Sequence, residues 1–179
     1  MAMHGVRRSL LEEQAAAAGL PLTILDLPWP CSNEEYETIL SAACKAARDA
    51  KIDAVAFGDL FLRDIREYRE KQMQGTGLEP LFPLWEIPTD HLARDMMRAG
   101  LRARLTCVDL KKLPVRFAGR EFDDQLLTDL PEGTDPCGEN GEFYTFCYAG
   151  PMFSKSITVT SGELVQRDGF AFADLIGRE

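Results

Sequence analysis

The sequence predicts an α/β protein in which helices cover a parallel sheet and a small antiparallel sheet follows at the C-terminal end. Two observations support this fold class. Early in the chain, stretches with helical periodicity alternate with short apolar runs, and connections of helical length are typical of parallel strands. Late in the chain, apolar runs are separated only by turn residues, which is typical of antiparallel hairpins. We expect an α/β domain over residues 1–110 and a second region over residues 111–179.

Helices are predicted where apolar residues recur on one face and end signals flank them. Gly19 is expected to end the first helix, because glycine readily adopts the left-handed conformation that follows a helix. Ser32 is expected to cap the second helix, and Thr89 the fourth. The predicted helices span Val6–Ala18, Ser32–Ala50, Leu60–Lys71 and Thr89–Ala99.

Strands are predicted from apolar or alternating runs. In the α/β part they span Leu20–Leu27, Asp53–Phe57, Glu79–Trp85 and Leu101–Val108. In the C-terminal part they span Phe143–Tyr148, Lys155–Thr160, Leu164–Arg167 and Phe170–Asp174. Ser161-Gly162 and Asp168-Gly169 are the predicted turns of that part. Residues 1–5 are too short for the strand that should precede the first crossover helix.

The composition excludes several classes of protein. A chain of 179 residues suits one domain, or one domain with a small appendage, and its net charge of -9 argues against a nucleic-acid partner. The five cysteines are scattered and odd in number, which predicts free thiols in a reducing cytoplasm. The sequence shows no secretory signal and no apolar run of membrane-spanning length. We therefore expect a soluble cytoplasmic protein with no membrane partner; self-association through exposed sheet edges stays open.

The segment from Asp135 to Thr145 is the strongest candidate for a site. Its first eight residues contain three acidic residues and two glycines, more than an ordinary turn needs. Glycines permit close approach of a ligand, and carboxylates beside them can bind amines or move protons. The alternative is a solvated hairpin turn, because Asn140-Gly141 is a strong turn signal. The spacing does not match a calcium loop, and Cys137 is a lone thiol, so no metal site is predicted.

Five segments of the chain occur together in an order typical of one known family. They are Met3–Arg7, Ala56–Phe61, Arg66–Arg69, Phe82–Trp85 and Gly138–Phe143 with Thr145. The last, Gly-Glu-Asn-Gly-Glu-Phe, is the most specific. The chain thus resembles the diphthine–ammonia ligase family, within the adenine nucleotide alpha hydrolase-like superfamily. This resemblance implies a Rossmann-like fold with a nucleotide-binding-type first domain and a substrate-site second region.

The resemblance also implies a reaction. In this family ATP activates a substrate carboxylate as an acyl-adenylate, and ammonia then displaces AMP to give an amide. A carboxylate needs such activation because its oxygen is a poor leaving group, and the site must exclude water meanwhile. The implied cofactor is therefore ATP. The implied partners are ammonia and a carboxylate substrate, such as a diphthine-bearing elongation factor 2, which becomes diphthamide.

Two departures from the family pattern stand out. The family begins with a strand and a Ser-Gly-Gly-x-Asp-Ser loop whose N–H groups hold the ATP phosphates, and this sequence has no such motif. We expect an N-terminally shortened member, which agrees with the missing first strand. Tyr144 stands where many relatives carry His, which removes a group that titrates near neutral pH.

The resemblance assigns expected roles to individual residues. Glu139 and Glu142 are the expected catalytic residues, binding an amine or orienting ammonia. The expected substrate-binding residues are Trp85, Asp135, Gly138, Asn140, Gly141 and Thr145. The expected cofactor-binding residues are His4, Gly58, Asp59 and Arg66.

Each assignment outside the loop has a structural alternative. Asp59 suits the N-cap of the helix that follows it, Arg66 suits a solvated helix face, and Trp85 suits the core. For the whole chain, two functions follow. The first is an ATP-dependent amide-forming ligase; the second is a non-catalytic substrate-binding module that has lost its ATP chemistry.

Overall fold

The computed structural model describes residues 4–28 and 30–177. The helices are α1 (Arg8–Ala18), α2 (Asn33–Asp49), α3 (Arg63–Met73), α4 (Thr89–Arg98) and α5 (Asp124–Asp129). The strands are β1 (Ala54–Ala56), β2 (Glu79–Leu81), β3 (Arg102–Asp109), β4 (Phe143–Ala149), β5 (Val159–Arg167) and β6 (Phe170–Gly177). The predicted mixed α/β class, with a parallel pair of strands and an antiparallel C-terminal sheet, is confirmed.

Contacts divide the chain into two compact units. The larger unit comprises residues 4–22 and 88–177, and the smaller unit is Thr23–Ile87. Because these units rest on contacts and not on function, the division into a nucleotide-binding-type domain 1–110 and a substrate-site region 111–179 stays a prediction.

The smaller unit contains the parallel pair. β1 and β2 pair in parallel, with Ala54 opposite Glu79, and helices α2 and α3 belong to the same unit. A small core of Cys44, Met73 and Leu78 holds the unit together. The predicted cap of α2 is confirmed: Ser32 Oγ accepts a hydrogen bond from the Glu35 N–H, and the Glu35 carboxylate accepts one from the Ser32 N–H in return.

The larger unit is built on a four-stranded antiparallel sheet in the order β4-β3-β6-β5. Two apolar clusters fill this unit. One joins residues of β3 and β4, such as Leu105 and Phe143, to the buried Phe117 and Leu126. The other includes Leu10 of α1 together with Phe146 and Leu175. Strand β3 therefore lies between β4 and β6. The candidate loop immediately precedes β4 and lies beside the end of β3.

Three element predictions before the C-terminal sheet are wrong, one because of long-range strand pairing and two beside a proline. Leu101–Val108 was expected to extend the parallel sheet, but β3 pairs antiparallel with β4 and β6. Leu20–Leu27 forms no strand; Pro21 lacks an N–H for a ladder, and Leu20 is 66% exposed. Thr89 does not cap α4 but is its first residue, after Pro88, whose fixed φ suits the position before a helix.

The turns of the C-terminal sheet agree in part with the sequence. Asp168 and Gly169 have φ of 53° and 82° and connect β5 to β6, as a type I′ turn requires. Ser161-Gly162 is not a turn but lies within β5, where the pairing with β6 shifts register between Ser161 and Leu164. Gly19 ends α1 as predicted, with a φ of 67°, but α3 begins at Arg63 rather than at Leu60.

Among the described residues, none of the helices combines the length and the apolar character needed to cross a membrane.

Candidate functional site

The candidate loop is held in shape by a buried aspartate at its start. Asp135 is 7% exposed, and its Oδ2 accepts hydrogen bonds from the backbone N–H of Glu139 at 2.8 Å and of Cys137 at 3.2 Å. The Gly138 N–H also donates to the Asp135 carbonyl at 3.0 Å. These bonds fold the chain tightly after Pro136, as acidic turn residues commonly do. Asp135 therefore shapes the loop from inside.

A second buried carboxylate closes the loop at its other end. Glu142 is 4% exposed, and its Oε1 accepts from the Asp135 N–H and from the Asn140 side-chain amide, both at 3.1 Å. The Glu142 carbonyl accepts from the Asp109 N–H at 2.9 Å, which fixes the loop to the end of β3. The other carboxylate oxygen, Oε2, is buried and has no hydrogen-bond partner among the described residues. A buried carboxylate oxygen in that state is unusual, because unmet polar groups are costly.

The two glycines of the loop have a physical reason. Gly138 has a φ of 72°, and a Cβ added there would lie 2.8 Å from the Phe143 carbonyl oxygen. Gly141 has a φ of 79°, and its N–H donates to the Gly138 carbonyl at 2.9 Å. Both positions thus need the left-handed conformation, and Gly138 also needs the absence of a side chain.

The thiol within the loop is not a nucleophile at neutral pH. Burial, followed by the charges of Asp135 and Glu139, raises the pKa of the Cys137 thiol to about 12. Its Sγ donates to the Thr89 carbonyl at 3.4 Å. Because only the thiolate is reactive, this environment suits a packed, inert cysteine.

Two further candidates, Thr145 and His4, lie on or beside strand β4. Thr145 lies opposite Leu105 on β3 and is half-buried. The His4 ring lies 4.7 Å from the Tyr144 ring, centroid to centroid. Burial lowers the pKa of His4 and raises the pKa of the Tyr144 phenol. His4 is thus next to Tyr144, a neighbour that the sequence did not suggest.

One contact to the loop was missed at the sequence level. The Lys112 ammonium donates to the Asn140 carbonyl. Lys112 lies far from the loop in sequence, after β3, and a single exposed lysine carries no periodic or spacing signal. Only the pairing of β3 with β4 brings the two segments together.

The remaining predicted residues belong to the smaller unit. Arg66 lies with its guanidinium carbon 4.6 Å from the centre of the Phe82 ring and 4.7 Å from that of Trp85, and its Nε bonds Glu70 Oε1 at 2.8 Å. Asp59 lies after β1, with its Oδ2 3.9 Å from Arg69 Nε. A Cβ at Gly58 would meet no atom within 4 Å, so this turn is open.

The structure therefore assigns the candidates to two groups. The first group, in the larger unit, contains His4, Asp135, Gly138, Glu139, Asn140, Gly141, Glu142 and Thr145. The second group, in the smaller unit, contains Gly58, Asp59, Arg66 and Trp85. Within the first group, direct bonds join the loop residues; within the second, Arg66 and Trp85 are in contact. Asp59 is not a helix cap, because α3 begins at Arg63 after Leu62.

Comparison with known proteins gives the family. Residues 88–175 match the diphthamide synthase C-terminal domain, a stretch that contains the whole loop. Diphthine–ammonia ligase of Homo sapiens is 29% identical over 149 residues, covering 80% of this chain and 55% of the human protein. That of Danio rerio is 30% identical over 150 residues, covering 80% of this chain and 58% of the fish protein. That of Schizosaccharomyces pombe is 33% identical over 119 residues, covering 64% of this chain and 20% of the yeast protein.

The chain thus spans little more than half the length of the human and fish relatives. The matched domain contains the Gly138–Phe143 element, and all three relatives are named diphthine–ammonia ligase. On this evidence residues 88–175 belong to the diphthamide synthase C-terminal domain family, and the chain is similar to diphthine–ammonia ligases over 80% of its length.

Proposed function

We propose that this chain serves the ATP-dependent formation of an amide from ammonia and a carboxylate substrate, and that the 135–145 loop holds that substrate. The names of the relatives point to diphthine as the carboxylate and to ammonia as the amine. The observation that carries the proposal is the buried Oε2 of Glu142, which has no hydrogen-bond partner in the part of the chain that the structure describes and lies in a loop closed by internal hydrogen bonds.

The geometry of Glu142 suits an incoming N–H donor. Its Oε1 is fixed by two protein donors, so the carboxylate cannot rotate freely to satisfy Oε2. An amine, an ammonium or ammonia at Oε2 would supply the missing hydrogen bond and balance the buried negative charge. In this proposal Glu142 orients ammonia or the cationic part of the substrate. Where it holds ammonia, it accepts the proton that the nitrogen loses as the bond to the acyl carbon forms and the bond from that carbon to its leaving oxygen breaks.

The other loop residues receive roles from their positions. Glu139 is half-buried, and its N–H is tied to Asp135, so its carboxylate is placed at the same turn as a second contact for the substrate. Asp135, Gly138 and Gly141 set the backbone path. With Asn140 and Thr145 they make up the proposed substrate site of the larger unit; a substrate contact by Trp85, in the smaller unit, is a separate proposal.

ATP is the cofactor that the family implies, and the described residues fit it poorly. The Arg66 guanidinium already lies against two aromatic rings and bonds Glu70. The Asp59 carboxylate has the same sign of charge as a phosphate. No step assigned to the residues of this chain runs through ATP. Two expectations remain proposals: the first domain has an adenine nucleotide alpha hydrolase-like fold, and the cofactor contacts are made by His4, Gly58, Asp59 and Arg66.

This poor fit favours a second candidate function, a substrate-binding module without ATP chemistry. Calorimetric titration of the chain with ATP separates the two. Tight binding of ATP supports the ligase. No binding of ATP, together with binding of the substrate, supports the module.

The loop itself is tested by titrating the chain with elongation factor 2 that carries diphthine. Glu139→Gln and Glu142→Gln should each weaken binding by about tenfold or more, because each removes a charge that would face a cationic or amine group. Glu132→Gln is the matched control, an exposed glutamate just before the loop, and it should leave affinity unchanged.

Melting temperatures of all three variants complete the test. If the loop variants lose affinity only in proportion to lost stability, or if Glu132→Gln weakens binding equally, the loop is structural and the proposal is wrong.

A further inference from the structure

Strand β5 forms an open edge of the antiparallel sheet. It pairs on one side with β6 and has no strand on its other side among the described residues. From Thr160 to Arg167 every residue is exposed, and the side chains of Leu164 and Val165 are 46% and 41% exposed. Such an edge presents unpaired N–H and C=O groups to any strand that fits it.

The alternation of hydrogen bonds across the sheet determines which backbone N–H and C=O groups of β5 face outward. The Leu110 N–H donates to the Gly169 carbonyl at 3.0 Å, so Gly169 and Ala171 direct their backbone groups to β3. Phe170 and Phe172 then direct theirs to Arg167 and Val165 of β5. By alternation, the N–H and C=O groups of Leu164 and Gln166 point to the open edge.

The charges along this edge are complementary to a second copy of the same strand. Two copies paired antiparallel about a twofold axis at Val165 place Glu163 of one copy opposite Arg167 of the other, twice. Leu164 and Gln166 then exchange their outward hydrogen bonds, and the two Val165 side chains meet between the charge pairs. The opposed Glu and Arg form non-hydrogen-bonded pairs, in which side chains lie closest.

Neighbouring symmetric registers of the two strands pair their charges less favourably. An axis at Glu163 places two glutamates opposite each other, which is repulsive. An axis at Leu164 places Glu163 opposite Val165 and leaves the charges without partners. Neither Glu163 nor Arg167 forms an ion pair within residues 4–28 and 30–177; Arg167 lies over the Phe172 ring, 4.5 Å from its centre. Both charges are thus available.

We propose that β5 is a homodimer interface, in which two copies join their sheets by antiparallel pairing centred on Val165. This places a second copy of the chain, rather than a different protein, at the open edge. The interface is independent of the 135–145 loop and of the ligase function.

Sedimentation velocity of the chain over a concentration series tests this proposal. The wild-type chain should form a dimer, and Glu163→Arg should raise its dissociation constant about tenfold or more, because both charge pairs become Arg–Arg. The double variant Glu163→Arg/Arg167→Glu exchanges the charges and should restore the dimer. Gln166→Pro should also weaken it, since it removes an outward N–H that the monomer does not use.

Circular dichroism melts show whether each variant is folded. The double variant also loses the contact between Arg167 and Phe172, so its melt is compared with that of Glu163→Arg to show that it remains folded. A wild-type chain that stays monomeric throughout, a dimer that Glu163→Arg leaves intact, or a double variant that remains as weak as the single one would each overturn the proposal.

Discussion

At the residue scale, two carboxylates define the candidate loop from opposite ends. Asp135 holds two backbone N–H groups, and Glu142 holds the Asp135 N–H in turn. The loop is therefore a closed set of hydrogen bonds rather than a solvated turn. The sequence indicated the acidic residues and the glycines of this loop, but it did not indicate that Asp135 and Glu142 are buried while Glu139 is only half-buried, because burial depends on β3 lying alongside.

The need for glycine at position 138 gives a test of this local structure. Gly138→Ala should lower the free energy of unfolding by about 3 kcal/mol, from the left-handed backbone and from crowding of the Phe143 carbonyl. Gly133→Ala is the control, because Gly133 has a φ of 81° but open space around it. It should cost only about 1 kcal/mol. Urea denaturation measures both; equal losses would show that the loop relaxes away from the crowding.

At the element scale, local signals predicted helices better than strand partners. The capping box of α2 and the Asp168-Gly169 turn were readable because each is decided by neighbouring residues. The alternation of Leu101–Val108 identified β3 as a strand, yet alternation does not specify a partner. The antiparallel pairing of β3 depends on β4 and β6, which lie far along the chain. The leucines of Leu20–Leu27 gave a false strand, since apolar content alone does not form a ladder beside Pro21.

Helix α2 offers a prediction at this scale. Ser32→Ala removes the acceptor for the Glu35 N–H and should destabilise the protein by about 1 kcal/mol. Ser41→Ala is the matched control in the same helix: Ser41 is exposed and interior, and alanine has the higher helix propensity, so stability should rise slightly. Chemical denaturation followed by circular dichroism measures both changes. A loss at Ser41 as large as that at Ser32 would contradict the assigned cap.

At the scale of the whole molecule, the chain joins a sheet unit that carries the loop to a smaller unit that carries Gly58, Asp59 and Arg66. Family membership was predictable because the Gly138–Phe143 element is specific and the weaker segments follow in order. The orphaned oxygen of Glu142 was not predictable, because a sequence shows an acid but not the number of its donors. That oxygen is the feature on which the proposed substrate site depends.

Amide hydrogen exchange, with and without elongation factor 2 that carries diphthine, tests this central claim most directly. If the loop holds the substrate, the amides of residues 135–145 should gain protection on binding, while those of α2 should not change. Protection confined to other parts of the chain, with the loop exchanging as before, would contradict the account.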